Sequence, residues 1–98
     1  MTQSSLDDLL SKIGSRTARI GVIGLGYVGL PLALLFEESA FHVLGFDVDA
    51  SKTEALNRGE SYIRHIGANR IASAFARRAR ATTDFHHLAD CDAIIICV

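Results

Sequence analysis

The chain has 98 residues, a formal net charge of −1, 49% hydrophobic residues and 21% charged ones. That allows one small domain with a core, argues against disorder, and gives no general electrostatic attraction to nucleic acid or to an anionic membrane. No apolar run reaches the ~18 residues of a membrane span, and Met1 to Ser5 lack the basic and apolar regions of a signal peptide, so the expected location is cytoplasmic.

In chain order, Leu6, Leu9, Leu10 and Ile13 recur at the spacing of one helix face. Ser5 with Asp8 resembles a capping box and Gly14 a C-terminal stop. Residues 1–18 therefore read as an N-terminal helical extension, either packed on a domain edge or a partner, or frayed. Residues 19–23 read as a buried strand running into Gly24-Leu25-Gly26-Tyr27-Val28-Gly29. A helix from Val28 to Phe36 follows. It is apolar almost all round, which predicts burial on more than one side, and Pro31 lies in its first turn, where a missing N–H costs least.

Phe41 to Phe46 form a second strand ending on Asp47. A helix from Asp49 to Arg58 follows, with Asp49 as its cap, Ala55 and Leu56 facing inward and Gly59 past its end. Residues 60–67 form a loop. Ala68 to Arg78 make a third helix with Ile71, Ala74 and Phe75 inward. Arg80 to Thr83 read as a short strand, Phe85 to Ala89 as a helical turn, and Asp92 to Val98 as the fourth strand. This alternation predicts an α/β fold over residues 19–98: the N-terminal part of a Rossmann-type doubly wound parallel sheet, strand order 3-2-1-4. An apolar strand near the centre of a full sheet, with its edge open, further predicts that the segment is the first half of a domain in a longer polypeptide.

Gly24, Gly26 and Gly29 fit the G-x-G-x-x-G pattern, and each glycine has a mechanical role. The first allows the tight turn, the second lets a diphosphate approach the backbone, and the third lets the helix pack on the strand. The phosphates then sit at a helix N-terminus, where free N–H groups and the dipole favour an anion. The pattern alone occurs by chance in many loops, but here an apolar strand precedes it and an apolar helix follows. Asp47 closes the second strand at roughly 20 residues' distance, as a dinucleotide site requires. The Asp47 carboxylate would accept bonds from the adenosine ribose diol and repel a 2′-phosphate, so the expected cofactor is NAD rather than NADP. Lys52, one helical turn on, reaches either toward a ribose hydroxyl or the adenine edge, or simply into solvent.

Other chemistry-bearing residues read blandly. Arg77, Arg78 and Arg80 form a basic cluster explained by the dipole of the helix they end, rather than by nucleic acid. His42, His65, His86 and His87 lack ligand partners in sequence, and no metal site is expected. Cys91 and Cys97 read as half-buried thiols, not nucleophiles.

Gly24-Leu25-Gly26-Tyr27-Val28-Gly29-Leu30-Pro31 closely resembles the opening of the nucleotide-sugar dehydrogenases, the UDP-glucose/GDP-mannose dehydrogenase family. Gly45-Phe46-Asp47, Lys52, Asn57-Arg58-Gly59, Ala81-Thr82-Thr83-Asp84 and the run from Asp92 to Val98 also fit. The Pro-Thr-Pro turn that follows in the family is not in this sequence. Within the family, Gly59-Glu60-Ser61-Tyr62-Ile63-Arg64-His65-Ile66 is most similar to the UDP-N-acetylglucosamine 6-dehydrogenases. The resemblance implies oxidation of a sugar C6 alcohol to a carboxylate in two NAD-dependent steps, through a thiohemiacetal and a thioester on a catalytic Cys. It places that Cys and its Lys and Asp or Glu helpers downstream of Val98. Catalytic residues are therefore expected outside the segment, and the 98 residues alone are expected to be inactive. By position in the family pattern, Tyr27 and Val28 would contact cofactor through the glycine turn. Asp47 and Lys52 would bind the adenosine ribose, and Val98 would lie near the adenosine. The implied partners are a UDP-sugar and, through a helix outside the segment, a second copy in a homodimer or higher oligomer. Two rival readings use similar local physics: an NAD-sensing regulatory module without chemistry, and an S-adenosylmethionine methyltransferase, whose usual G-x-G-x-G spacing differs from that seen here.

Overall fold

The computed structural model describes residues 3–97. Helix α1 (Gln3–Ser15) leads into β1 (Arg19–Ile23), α2 (Gly29–Glu38), β2 (His42–Phe46), α3 (Ala50–Asn57), α4 (Ala68–Arg77), β3 (Ala79–Thr82), a 3-10 helix (Phe85–Asp90) and β4 (Ala93–Ile96). The strands form one parallel sheet in the order β3-β2-β1-β4, as the alternation of elements predicts. Each parallel pair needs a crossover, and the register shows which residues share a face. Ile20 stands beside Val43 and Ala93, and Val43 beside Ala79. These residues face the helices.

The core lies between that face and the helices. Ile20, Val22, Val43, Ala79 and Ala81 from the strands pack with Leu30, Ala33 and Leu34 of α2, Leu56 of α3, and Ile71, Ala74 and Phe75 of α4. The inward residues expected on α4 are all buried; on α3, Leu56 is buried and Ala55 partly so. Asp49 caps α3, its carboxylate accepting from the Ser51 amide at 2.9 Å, and Gly59 follows with φ 79°. Between β3 and the helices, the Asn57 side chain donates to the Ala81 carbonyl at 2.8 Å and accepts from its N–H at 2.9 Å. It thereby satisfies backbone groups of β3, the strand at the edge of the sheet among the described residues.

One local expectation is corrected. The α1 helix begins at Gln3 and runs through Gly14. It ends where Arg16 takes φ 65° and the amides of Thr17 and Ala18 close onto the Lys12 carbonyl at 2.9 and 3.1 Å. The α2 helix buries one side within the described residues, through Leu30, Ala33, Leu34 and Glu37, while Leu35 is 56% exposed. The second covered side expected from its composition calls for a neighbouring layer from further chain or a second copy, which the described residues do not include. The opposite face of the sheet is covered thinly: Phe85 of the 3-10 helix packs on the buried Phe46 ring at 5.5 Å, and Ile94 and Ile96 stay exposed. The α1 helix is tied down by Asp92, whose carboxylate accepts from Lys12 Nζ at 3.1 Å and the Arg19 amide at 2.9 Å.

Candidate functional site: the glycine turn

The turn between β1 and α2 sits at the C-terminal end of the sheet, next to the point where β4 pairs with the other side of β1. In open α/β sheets this is where ligands bind. Gly24 adopts φ 93°, and its amide donates to the Phe46 carbonyl at 2.8 Å. A Cβ there would collide with the Cys97 carbonyl, and one on Gly29 would collide with the Gly24 carbonyl. The fold itself requires both glycines. Gly26 differs: a Cβ would meet no protein atom within 4 Å. The bare backbone at Gly26 therefore leaves space that the described residues do not fill.

The backbone donors point the same way. Leu30 N–H bonds to the Gly26 carbonyl at 3.1 Å and Leu32 N–H to that of Val28 at 3.3 Å. The N–H groups of Gly26, Tyr27, Val28 and Gly29 find no acceptor among the described residues. Open amides at a helix start make an anion site. Tyr27 and Val28 are largely exposed, and the Tyr27 ring stacks on His65 at 6.0 Å between centroids, with 17° between planes.

Asp47 is half-buried just past β2. Its Oδ2 accepts from the Leu25 amide at 3.0 Å and its Oδ1 from the Asp49 amide at 2.9 Å. Each oxygen therefore holds one amide and keeps acceptor capacity for another donor. Among the described residues no Lys or Arg nitrogen pairs with it. Val48, which sequence reasoning did not single out as a site residue, is an exposed apolar side chain beside this carboxylate. Lys52 Nζ lies 5.6 Å from the centroid of the Tyr62 ring, so it faces the site's rim. Val98 falls outside the described residues.

The structure thus brings together Gly24, Gly26, Tyr27, Val28, Gly29, Asp47 and Lys52 at one end of the sheet. The other candidates lie elsewhere. Both cysteines are half-buried, and burial pushes the Cys91 thiol pKa up, away from a reactive thiolate. His86 and His87 pair with Asp84 and Asp90 on the surface, and the described residues hold no cluster suited to a metal. Arg77 and Arg78 turn out to bind Glu37 rather than only complement a helix end. Sequence reasoning missed that pairing, and it also missed the contact of Tyr62 with the glycine turn.

Residues 18–98 match the model of the UDP-glucose/GDP-mannose dehydrogenase family, NAD binding domain. The chain belongs to that family. Its cofactor is accordingly NAD. A UDP-glucose 6-dehydrogenase of Haloferax volcanii is 35% identical over 78 residues, covering 79% of this chain and 18% of that protein. A solved GDP-mannose dehydrogenase from Pseudomonas aeruginosa superposes with a TM-score of 0.76 at 35% identity, over 82% of this chain and 19% of that one. A UDP-D-ManNAc dehydrogenase from Pyrococcus horikoshii gives 0.74 at 32% identity, over 82% and 20%. The chain spans about a fifth of the length of these relatives. Their names carry three different sugars. No helix among the described residues is long and apolar enough to cross a membrane.

Proposed function

We propose that this chain is the NAD-binding portion of a UDP-sugar 6-dehydrogenase whose substrate is UDP-N-acetylglucosamine. The sugar assignment rests on the loop from Gly59 to Ile66. The whole enzyme would take the C6 alcohol to the carboxylate in two NAD-dependent steps, with its catalytic residues outside residues 19–98, and would work in the cytoplasm as a dimer or larger assembly. Residues 1–18 would be an extension outside the dinucleotide domain.

In this reading the amides of residues 26–29 hold the diphosphate and Asp47 holds the adenosine diol. Tyr27, Val28, Lys52 and Val98 line the rest, and NAD supplies the hydride acceptor. The observation that carries the reading is the open position at Gly26, set between two glycines that the fold needs for its own packing. A methyl group there would fill diphosphate space without touching protein. Gly26→Ala should therefore melt within a few degrees of the parent, yet bind NAD at least about tenfold more weakly by titration calorimetry. Asp47→Ala should lose a similar amount. Unchanged affinity in both folded variants would refute the assignment. The same titration with S-adenosylmethionine should show no binding.

A further inference from the structure

The loop between α3 and α4 is a built strap rather than a loose connection. Ile63 and Ile66 anchor it in the core. The Ser61 hydroxyl lies within bonding distance of the carbonyls of both, 2.9 Å from Ile63 and 2.6 Å from Ile66. Beside these anchors the Tyr62 hydroxyl donates to the Leu25 carbonyl, and His65 stacks on Tyr27.

Leu25 is thus held from three directions. Asp47 takes its N–H, Tyr62 takes its carbonyl, and its fully buried side chain packs against Gly45. The Leu25 carbonyl is the acceptor that the Gly29 amide would use if α2 began one turn earlier. Tyr62 takes one acceptor site of that carbonyl, and the Gly29 amide makes no bond to it. The geometry points to Tyr62 as a positioning residue for the dinucleotide. By holding the Leu25 carbonyl its hydroxyl fixes the Leu25–Gly26 peptide plane, and so the direction of the Gly26 amide that opens the turn toward a diphosphate. This inference rests on the reading that the glycine turn binds NAD. Burial, with the nearby carboxylates of Asp47 and Asp49, pushes the Tyr62 phenol pKa upward. The group therefore remains a protonated donor throughout the neutral range.

Tyr62→Phe removes the donor and keeps the ring beneath Lys52. The expected result is an NAD dissociation constant raised about five- to tenfold, from one lost hydrogen bond to an orienting carbonyl. ADP-ribose, which carries the diphosphate, should lose as much as NAD, and AMP should lose less. In the active enzyme KM for NAD should rise while kcat holds, because Tyr62 touches no reacting atom. A purely structural tyrosine would lower the melting temperature and leave the affinity of the folded protein unchanged, and that result would overturn the proposal. If Tyr62→Phe fails to fold, Ser61→Ala loosens the strap with the tyrosine present and should weaken NAD about threefold; unchanged affinity there would overturn it equally. Asp47→Ala weakening NAD while Tyr62→Phe does not would sink this inference alone. No NAD binding by the parent protein would sink both.

Discussion

Glu37 and Asp47 are two carboxylates set into the same fold, and they are treated in opposite ways. Glu37 lies on α2 facing α4, fully buried. Arg77 grips it with two bonds, Nε to Oε2 at 3.1 Å and Nη2 to Oε1 at 2.7 Å, and Arg78 adds Nη1 to Oε2 at 2.9 Å. Asp47 lies at the rim of the glycine turn and holds only two backbone amides. A buried carboxylate is tolerable only when paired, so Glu37 belongs to the packing of α2 on α4. A half-buried carboxylate bonded by two amides alone keeps spare acceptor sites for an outside donor. The difference separates a residue that holds helices together from one suited to gripping a neutral diol.

The comparison breaks most severely if the cations around Glu37 are removed. Arg77→Ala with Arg78→Ala leaves a buried carboxylate with neither partner. Breaking a buried pair usually costs about 3–5 kcal/mol; both guanidinium groups are partly exposed, at 50% and 37%, so the low end is expected. Denaturant unfolding should show this loss, while the folded fraction binds NAD with unchanged affinity. A drop in NAD affinity would mean that the two regions are coupled.

Acid should act through the same cluster. The Arg77 bonds, helped by Arg78, hold the Glu37 carboxyl below its ordinary value of 4.5. A depressed carboxylate contributes stability that is present above its unfolded pKa and lost as pH falls through its folded one. Stability should therefore be flat near neutrality and decline below about pH 4.5. Glu38, Asp49, Asp84 and Asp92 are depressed too, so the acid limb has several owners. Glu37→Gln should make it shallower than the parent's; an identical slope would show that Glu37 binds protons equally in the folded and unfolded states.

The parts of this molecule legible in the sequence are those whose cause is local. Gly24 and Gly29 announce a turn because the chain must bend and pack within a few residues. The position of Asp47 follows from a strand of ordinary length, and strand order follows from alternating elements. The hidden parts join residues far apart in sequence. Glu37 lies just past the apolar run that marks α2 in the sequence, and nothing local gives it a role until α4 is docked beside it. Tyr62 reads as one aromatic in a loop until Ser61, Ile63 and Ile66 fold that loop over Leu25. Gly14 misled for a related reason: a local stop signal gave way to the closure at Arg16.

The mildest way to sharpen the comparison is to give Asp47 a cation, making it more like Glu37. Val48 follows it directly and is 87% exposed, so an arginine there needs no repacking. Val48→Arg would place a guanidinium where a 2′-phosphate is otherwise repelled by Asp47 alone. An exposed charge contact is worth up to about 1 kcal/mol, so the ratio of NADP to NAD affinity should rise about fivefold. That gain should fade as salt is added, because the new charge sits in solvent. A ratio that does not move would mean that Asp47 is too distant from the ribose 2′ position to discriminate. The gripping role assigned to its spare acceptors would then pass to another group at the rim.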